Sequence, residues 1–177
     1  MKATGIVRRI DDLGRVVIPK EIRRTMRIRE GDPLEIYTDA GGEVIFKKYS
    51  PIGEMSAFAV QYAEALSGAT KLSVIICDRD HCVAAAGISK KEALERKVTP
   101  ELESIINERK SVNIENENLA ALEGIERGIR VASPIIAAGD VCGAVVLLQS
   151  DTGDKAADAD MKLVSVAAAF LGRQVES

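Results

Sequence analysis

Arginine forks are spaced through the start of this sequence in a way that suits an anionic partner. Residues 5–24 carry Arg8, Arg9, Arg15, Lys20, Arg23 and Arg24 against only Asp11, Asp12 and Glu21. A guanidinium presents coplanar N–H donors that match a phosphate or the edge of a guanine, which makes such a run a candidate nucleic-acid surface. Most charge runs are simply solvated faces. Here the cations fall on an expected strand, turn, strand and helix start, so that the fold would gather them rather than spread them. Other chemistry is poorly served. With one histidine and no glycine-rich phosphate loop, the chain has no visible catalytic machinery and reads as a non-enzyme. Cys77, His81 and Cys82 are close in sequence, yet they lack a Cys-x-x-Cys pair and a nearby fourth ligand. They read as core thiols and a surface imidazole, and no metal site or cofactor is assigned.

The net charge of −3 by itself argues against a nucleic-acid partner, but it averages two unlike segments. Residues 1–50 hold eleven Lys or Arg and eight Asp or Glu, a balance of +3, whereas residues 51–177 hold thirteen and nineteen, a balance of −6. An anionic partner is therefore expected for the first segment alone. Apolar residues make up 46% and aromatics only 3%, so a folded chain with an Ile, Val, Leu and Ala core is expected. No apolar run reaches the roughly 18 residues of a membrane span, and the N-terminus has no signal-like apolar stretch. The three cysteines do not resemble a disulfide framework. A cytoplasmic protein is expected.

The elements that must position the cations follow from local signals. Residues 4–10 and 15–18 are β-branched and read as strands around an 11–14 turn. Pro19 suits the first position of a helix over 20–26. Residues 34–38 and 43–47 flank a turn at 39–42 and form a hairpin. So small a module buries little, and obligate dimerisation is the expected remedy. Arg27 and Arg29 are read as solvated. Residues 51–55, with Pro51 and Gly53, form a short linker. Beyond it, helices are expected at 54–66, 99–110 and 158–175, with a capping box starting another at Ser89. Strands are expected at 72–77, 82–87, 111–114, 129–136 and 141–148, with 115–127 as the mobile stretch. Helices on the faces of an antiparallel sheet make this an α+β layer domain.

The run Gly5, Arg8-Arg9, Leu13-Gly14-Arg15-Val16-Val17-Ile18-Pro19, Ile22-Arg23-Arg24, Gly31-Asp32 and Leu34-Glu35-Ile36-Tyr37 resembles the AbrB-type swapped-hairpin DNA-binding domain. As a whole the chain is similar to sporulation transcription factors of endospore-forming bacilli. That resemblance implies an interleaved, barrel-like dimer through residues 1–50 that binds double-stranded DNA at the nucleoid. It assigns the contacts to Arg8, Arg15, Arg23 and Arg24, with Arg9 and Lys20 second. With no long recognition helix and few Asn or Gln to read adenine, phosphate contacts and DNA shape are expected to dominate. Residues 56–177, through Pro134-Ile135, Gly139 and Gly143-Ala144-Val145-Val146-Leu147, resemble a GAF domain. This implies a small-molecule effector between the sheet and its overlying loops, and a homotetramer formed through the terminal helices. The expected function is an activator and repressor of sporulation genes. The alternatives are an antitoxin-type protein or an architectural DNA binder whose second domain only assembles it.

Overall fold

The computed structural model describes residues 3–152 and 157–177. It divides into two units, 1–49 and 50–177. In the first, α1 (Lys20–Thr25) precedes a hairpin of β1 (Leu34–Thr38) and β2 (Val44–Lys48), paired from Leu34↔Lys48 to Thr38↔Val44. The second strand starts one residue later than the sequence suggests. The carboxylate of Asp39 accepts the amides of Gly41 and Glu43, holding Glu43 in the turn.

The two strands expected at 4–10 and 15–18 do not form. The segment is extended around a turn, with a backbone bond from Asp11 N to Arg15 O and no ladder beyond it among the described residues. Val7, Ile10 and Val17 are 71–85% exposed. β-branched residues favour extended backbone, but a strand also needs a neighbour, and none is available within this unit. Pro19 stands at the N-cap of α1 rather than inside it, with its carbonyl accepting from Arg23 N. It is the one buried residue described in the unit. Helix α1 closes in a Schellman motif: Ile28 N bonds to Arg23 O and Arg27 N to Arg24 O, with Arg27 left-handed at φ +51°.

Pro19 apart, the second unit holds every buried hydrophobic side chain among the described residues. Its five-stranded antiparallel sheet has the order β4 (Cys82–Ala86), β3 (Val74–Asp78), β7 (Asp140–Leu148), β6 (Ile129–Ala137), β5 (Val112–Asn113). Strand alternation divides the core. Val74, Ile76, Val145 and Leu147 meet α3 (Ser56–Thr70) and α6 (Asp158–Val175) on one face. On the other, Ile75, Cys77, Ala144 and Val146 meet α5 (Pro100–Glu108). Each well-buried Val, Leu or Ile contributes about 1.5–3 kcal/mol, so this unit has the means to fold by itself.

Three readings need correction here. Residues 51–55, read as a short linker, belong instead to the second unit's core: α2 (Pro51–Glu54) is helical, the Ser50 hydroxyl accepts from Gly53 N, and Ile52 is fully buried among α3 and α6 residues. Ser89 makes no side-chain cap at α4 (Lys90–Ala93), because the Glu92 amide goes to the Ser89 carbonyl instead. Residues 115–127 are irregular but anchored. Thr99 N donates to Ala121 O, Glu123 N to Lys97 O, and Leu122 is buried.

Candidate nucleic-acid interface

Arg8, Arg9, Arg15, Lys20, Arg23 and Arg24 all lie in the first unit and all are exposed. Two of them are held in a common manner. Arg15 Nε sits 2.8 Å from Asp11 Oδ2, while Asp11 Oδ1 accepts the amides of Leu13 and Arg15. Arg23 Nε donates to Ile18 O at 3.2 Å, tying the helix to the segment before it. In both, the anchoring bond uses Nε and lies outside the pair of Nη groups that would grip a phosphate. A fork oriented before the ligand arrives loses less side-chain freedom on binding. The Asp11 carboxyl is held below its ordinary value of 3.8, first by the Arg15 amide and then by the Arg15 guanidinium.

The other four are less fixed. Arg24 follows Arg23 on α1 and Lys20 opens it. Arg8 and Arg9 lie on the extended segment ahead of the turn. Its strongest ties to later residues come at Asp11, so the fold of one chain gathers Arg15, Arg23 and Arg24 more firmly than Arg8.

Two contributions were missed in the sequence. Asp11 counts there only as a turn former, although an Asp four residues before an Arg across a turn is the available signal for this pair. The second is a knot beneath the helix. Asp32, with its side chain 5% exposed, accepts from Arg29 N at 2.9 Å and lies 3.5 Å from Lys48 Nζ, which donates to Arg27 O at 2.7 Å. Arg29 joins it at 3.8 Å. The Arg29 guanidinium is thus part of the α1–β2 junction and not simply a solvated cation, and Arg27 joins the junction through its carbonyl.

Cys77 and Cys82 are buried partners on β3 and β4. The Cys77 thiol is pushed well up, first by its hydrogen bond with Cys82 and then by burial. His81 is half-buried in the turn, its amide bonded to Asp78 Oδ1. No group of three or more His, Cys, Asp or Glu among the described residues is arranged to hold a metal ion. No helix among them is long and apolar enough to cross a membrane.

Residues 54–176 match the family described as stage V sporulation protein T C-terminal, transcription factor, and residues 7–53 match the antidote-toxin recognition MazE family of bacterial antitoxins. The chain is 51% identical over 179 residues to stage V sporulation protein T of Bacillus subtilis, covering 99% of each. Over 51 residues it is 63% identical to the transition state regulatory protein AbrB of the same organism, spanning 29% of this chain and 52% of that one. The GAF domain of an Acinetobacter phosphoenolpyruvate-protein phosphotransferase aligns with a TM-score of 0.58 at 15% identity, over 73% of this chain and 84% of that one. The first unit is of the AbrB type, and the second has the GAF fold.

Proposed function

The chain belongs to the stage V sporulation protein T family, and from that premise we propose that it is a DNA-binding regulator, activating some sporulation genes and repressing others. It acts in the cytoplasm, on the nucleoid, as a dimer built from residues 1–49. Arg8, Arg15, Arg23 and Arg24 contact DNA, with Arg9 and Lys20 in support. The observation that carries this reading is the pair Arg15 and Arg23, each anchored through Nε on an exposed face. The dimer is supported by the exposure of Val7, Ile10, Leu13 and Val17 in a unit whose one buried residue is Pro19. A second chain would cover that apolar surface and supply the strand neighbours that 4–10 and 15–18 lack.

Pairs of dimers join through α3 and α6. The Phe170 ring lies tilted at 5.8 Å from those of both Phe58 and Tyr62, and Phe58, Leu163, Val166 and Phe170 are 36–61% exposed on these helices. An apolar, aromatic face of this kind fits a helix-to-helix contact with a second copy. Gel filtration of residues 50–177 tests it, and a monomer at micromolar concentration would remove the assembly role. The MazE match over residues 7–53 raises an antitoxin as the second reading. A folded unit of residues 50–177, rather than a short disordered tail, favours the regulator.

The decisive measurement is DNA affinity as a function of salt. A dimer offering four arginines per chain neutralises up to about eight phosphates and gives a log–log slope near −7. Arg15→Ala and Arg23→Ala are expected to abolish binding while the dimer persists in gel filtration. A slope shallower than about −3, or normal binding by either variant, would exclude this face. A genome-wide binding map with expression changes on deletion then identifies the targets and the sign at each.

A further inference from the structure

A cleft of about 470 Å³ opens between β6 and α6, on the face of the second unit's sheet that carries α3 and α6. It arises because β5 is short. Val112 and Asn113 pair with Ala132 and Val131, so that among the described residues no strand lies beside β6 on that edge from Pro134 onward. Arg109, Ser111, Ser133, Ser165, Arg173 and Glu176 supply its polar lining.

The chemistry of this lining is unlike that of the surrounding core. Ser133 is 5% exposed and lies between Val131 and Ile135, both fully buried, on the face that packs against α6. Its hydroxyl is 2.8 Å from that of Ser111, which lies 3.4 Å from that of Ser165. Three hydroxyls joined by two hydrogen bonds retain one O–H proton to donate elsewhere. Arg109 holds a left-handed conformation at φ +59°, a helix-ending position that favours glycine, and its Nη1 donates to Gly139 O at 2.8 Å. One such bond leaves most of a five-donor fork available. Arg173 reaches the cleft from the last turn of α6, and Glu176, the one acid in the lining, accepts from Ala138 N. The lining therefore carries a net positive charge together with hydroxyl donors, in a volume suited to a small molecule.

We propose that this cleft binds a small oxyanion, the carboxylate or phosphate group of a metabolite, between the Arg109 and Arg173 guanidiniums and the serine hydroxyls. The opposite face of the sheet, beneath the overlying loops, is filled by Ile75, Val146, Leu102, Ile106 and Leu122. The ligand position thus lies on the α6 side, not on the side that the GAF resemblance implies. Nothing in this assignment depends on the DNA-binding reading.

Thermal unfolding of the full chain, titrated with sodium phosphate or sodium acetate at constant ionic strength against chloride, tests it. At least one anion is expected to raise the midpoint along a saturating curve, and the active anion identifies the group recognised. Arg173→Gln should move half-saturation about tenfold or more upward, the scale of one lost charge-assisted bond. Ser165→Ala should weaken it by less, and Lys91→Gln on α4, outside the lining, should leave it unchanged. A rise that never saturates, or one identical in wild type and Arg173→Gln, would overturn the proposal. So would an Arg173→Gln midpoint lowered equally with and without anion. That result would leave Arg173 only complementing the carbonyl end of its helix.

Discussion

If Arg15 grips a DNA phosphate through its Nη pair, as proposed, the Asp11 carboxylate on its Nε both orients that fork and offsets part of its charge. Asp11 also builds the turn that carries Arg15, through the amides of Leu13 and Arg15. The two roles separate by substitution. Asp11→Asn keeps an acceptor for both amides and removes the charge. It is expected to raise DNA affinity slightly, since an exposed ion pair is strongly screened by solvent. Asp11→Ala loses the turn as well and should bind more weakly than wild type. Fluorescence anisotropy at one salt concentration checks both, and weaker binding by Asp11→Asn would mean that orientation outweighs the charge offset. The pH dependence has a definite sign. A carboxyl whose folded value is depressed contributes fully above its unfolded value near 3.8 and is lost as pH falls through the lower folded one. The Asn-to-wild-type affinity ratio should therefore stay flat between about pH 5 and 8. A ratio that changes across that range would count against the pairing.

Among the elements, two glycines set how closely the second unit packs. A Cβ on Gly143 would run into the Cys77 carbonyl across β3 and β7, and one on Gly172 into the Ile136 carbonyl beneath α6. Gly143→Ala and Gly172→Ala should each cost about 1–3 kcal/mol or more by overpacking. Gly68 in α3 faces open space, and Gly68→Ala should add about 0.5–1 kcal/mol. Calorimetric unfolding separates the two classes, and an unaffected Gly172→Ala would show that α6 docks more loosely than its backbone contact implies. Most of this sheet was legible beforehand, because apolar runs such as Val74 to Cys77 and Gly143 to Leu148 are bounded by turn residues. Failures occurred where the deciding contact is not local. Residues 4–18 have strand composition but no neighbour in their own unit. Pro51 and Gly53 punctuate like a loop, while the burial of Ile52 between them depends on a core assembled from distant elements. Motif and charge nominate the arginines, whose part in DNA binding is a proposal, while the Nε anchors of Arg15 and Arg23 depend on a turn and a helix start whose geometry composition does not specify.

For the molecule as a whole, the two units differ in what they can do unaided. Residues 50–177 should unfold as one cooperative transition at a midpoint independent of concentration at fixed oligomeric state. Starting the fragment at residue 54 removes Ile52 and should cost about 2–4 kcal/mol by the scale of lost buried Ile or Leu side chains. Residues 1–49 should show circular dichroism that depends on concentration, since their order rests on a second copy. Concentration-independent order in that fragment would mean that its apolar segments find cover within one chain. The exposed stretch 4–18 also bears on the order of events during synthesis. Residues 1–49 are translated before residues 50–177, yet Pro19 is the one buried residue described among them. The later residues fold as soon as they emerge. On the proposed dimer, the unit translated earlier is therefore the later one to finish, because it waits on an encounter between two chains.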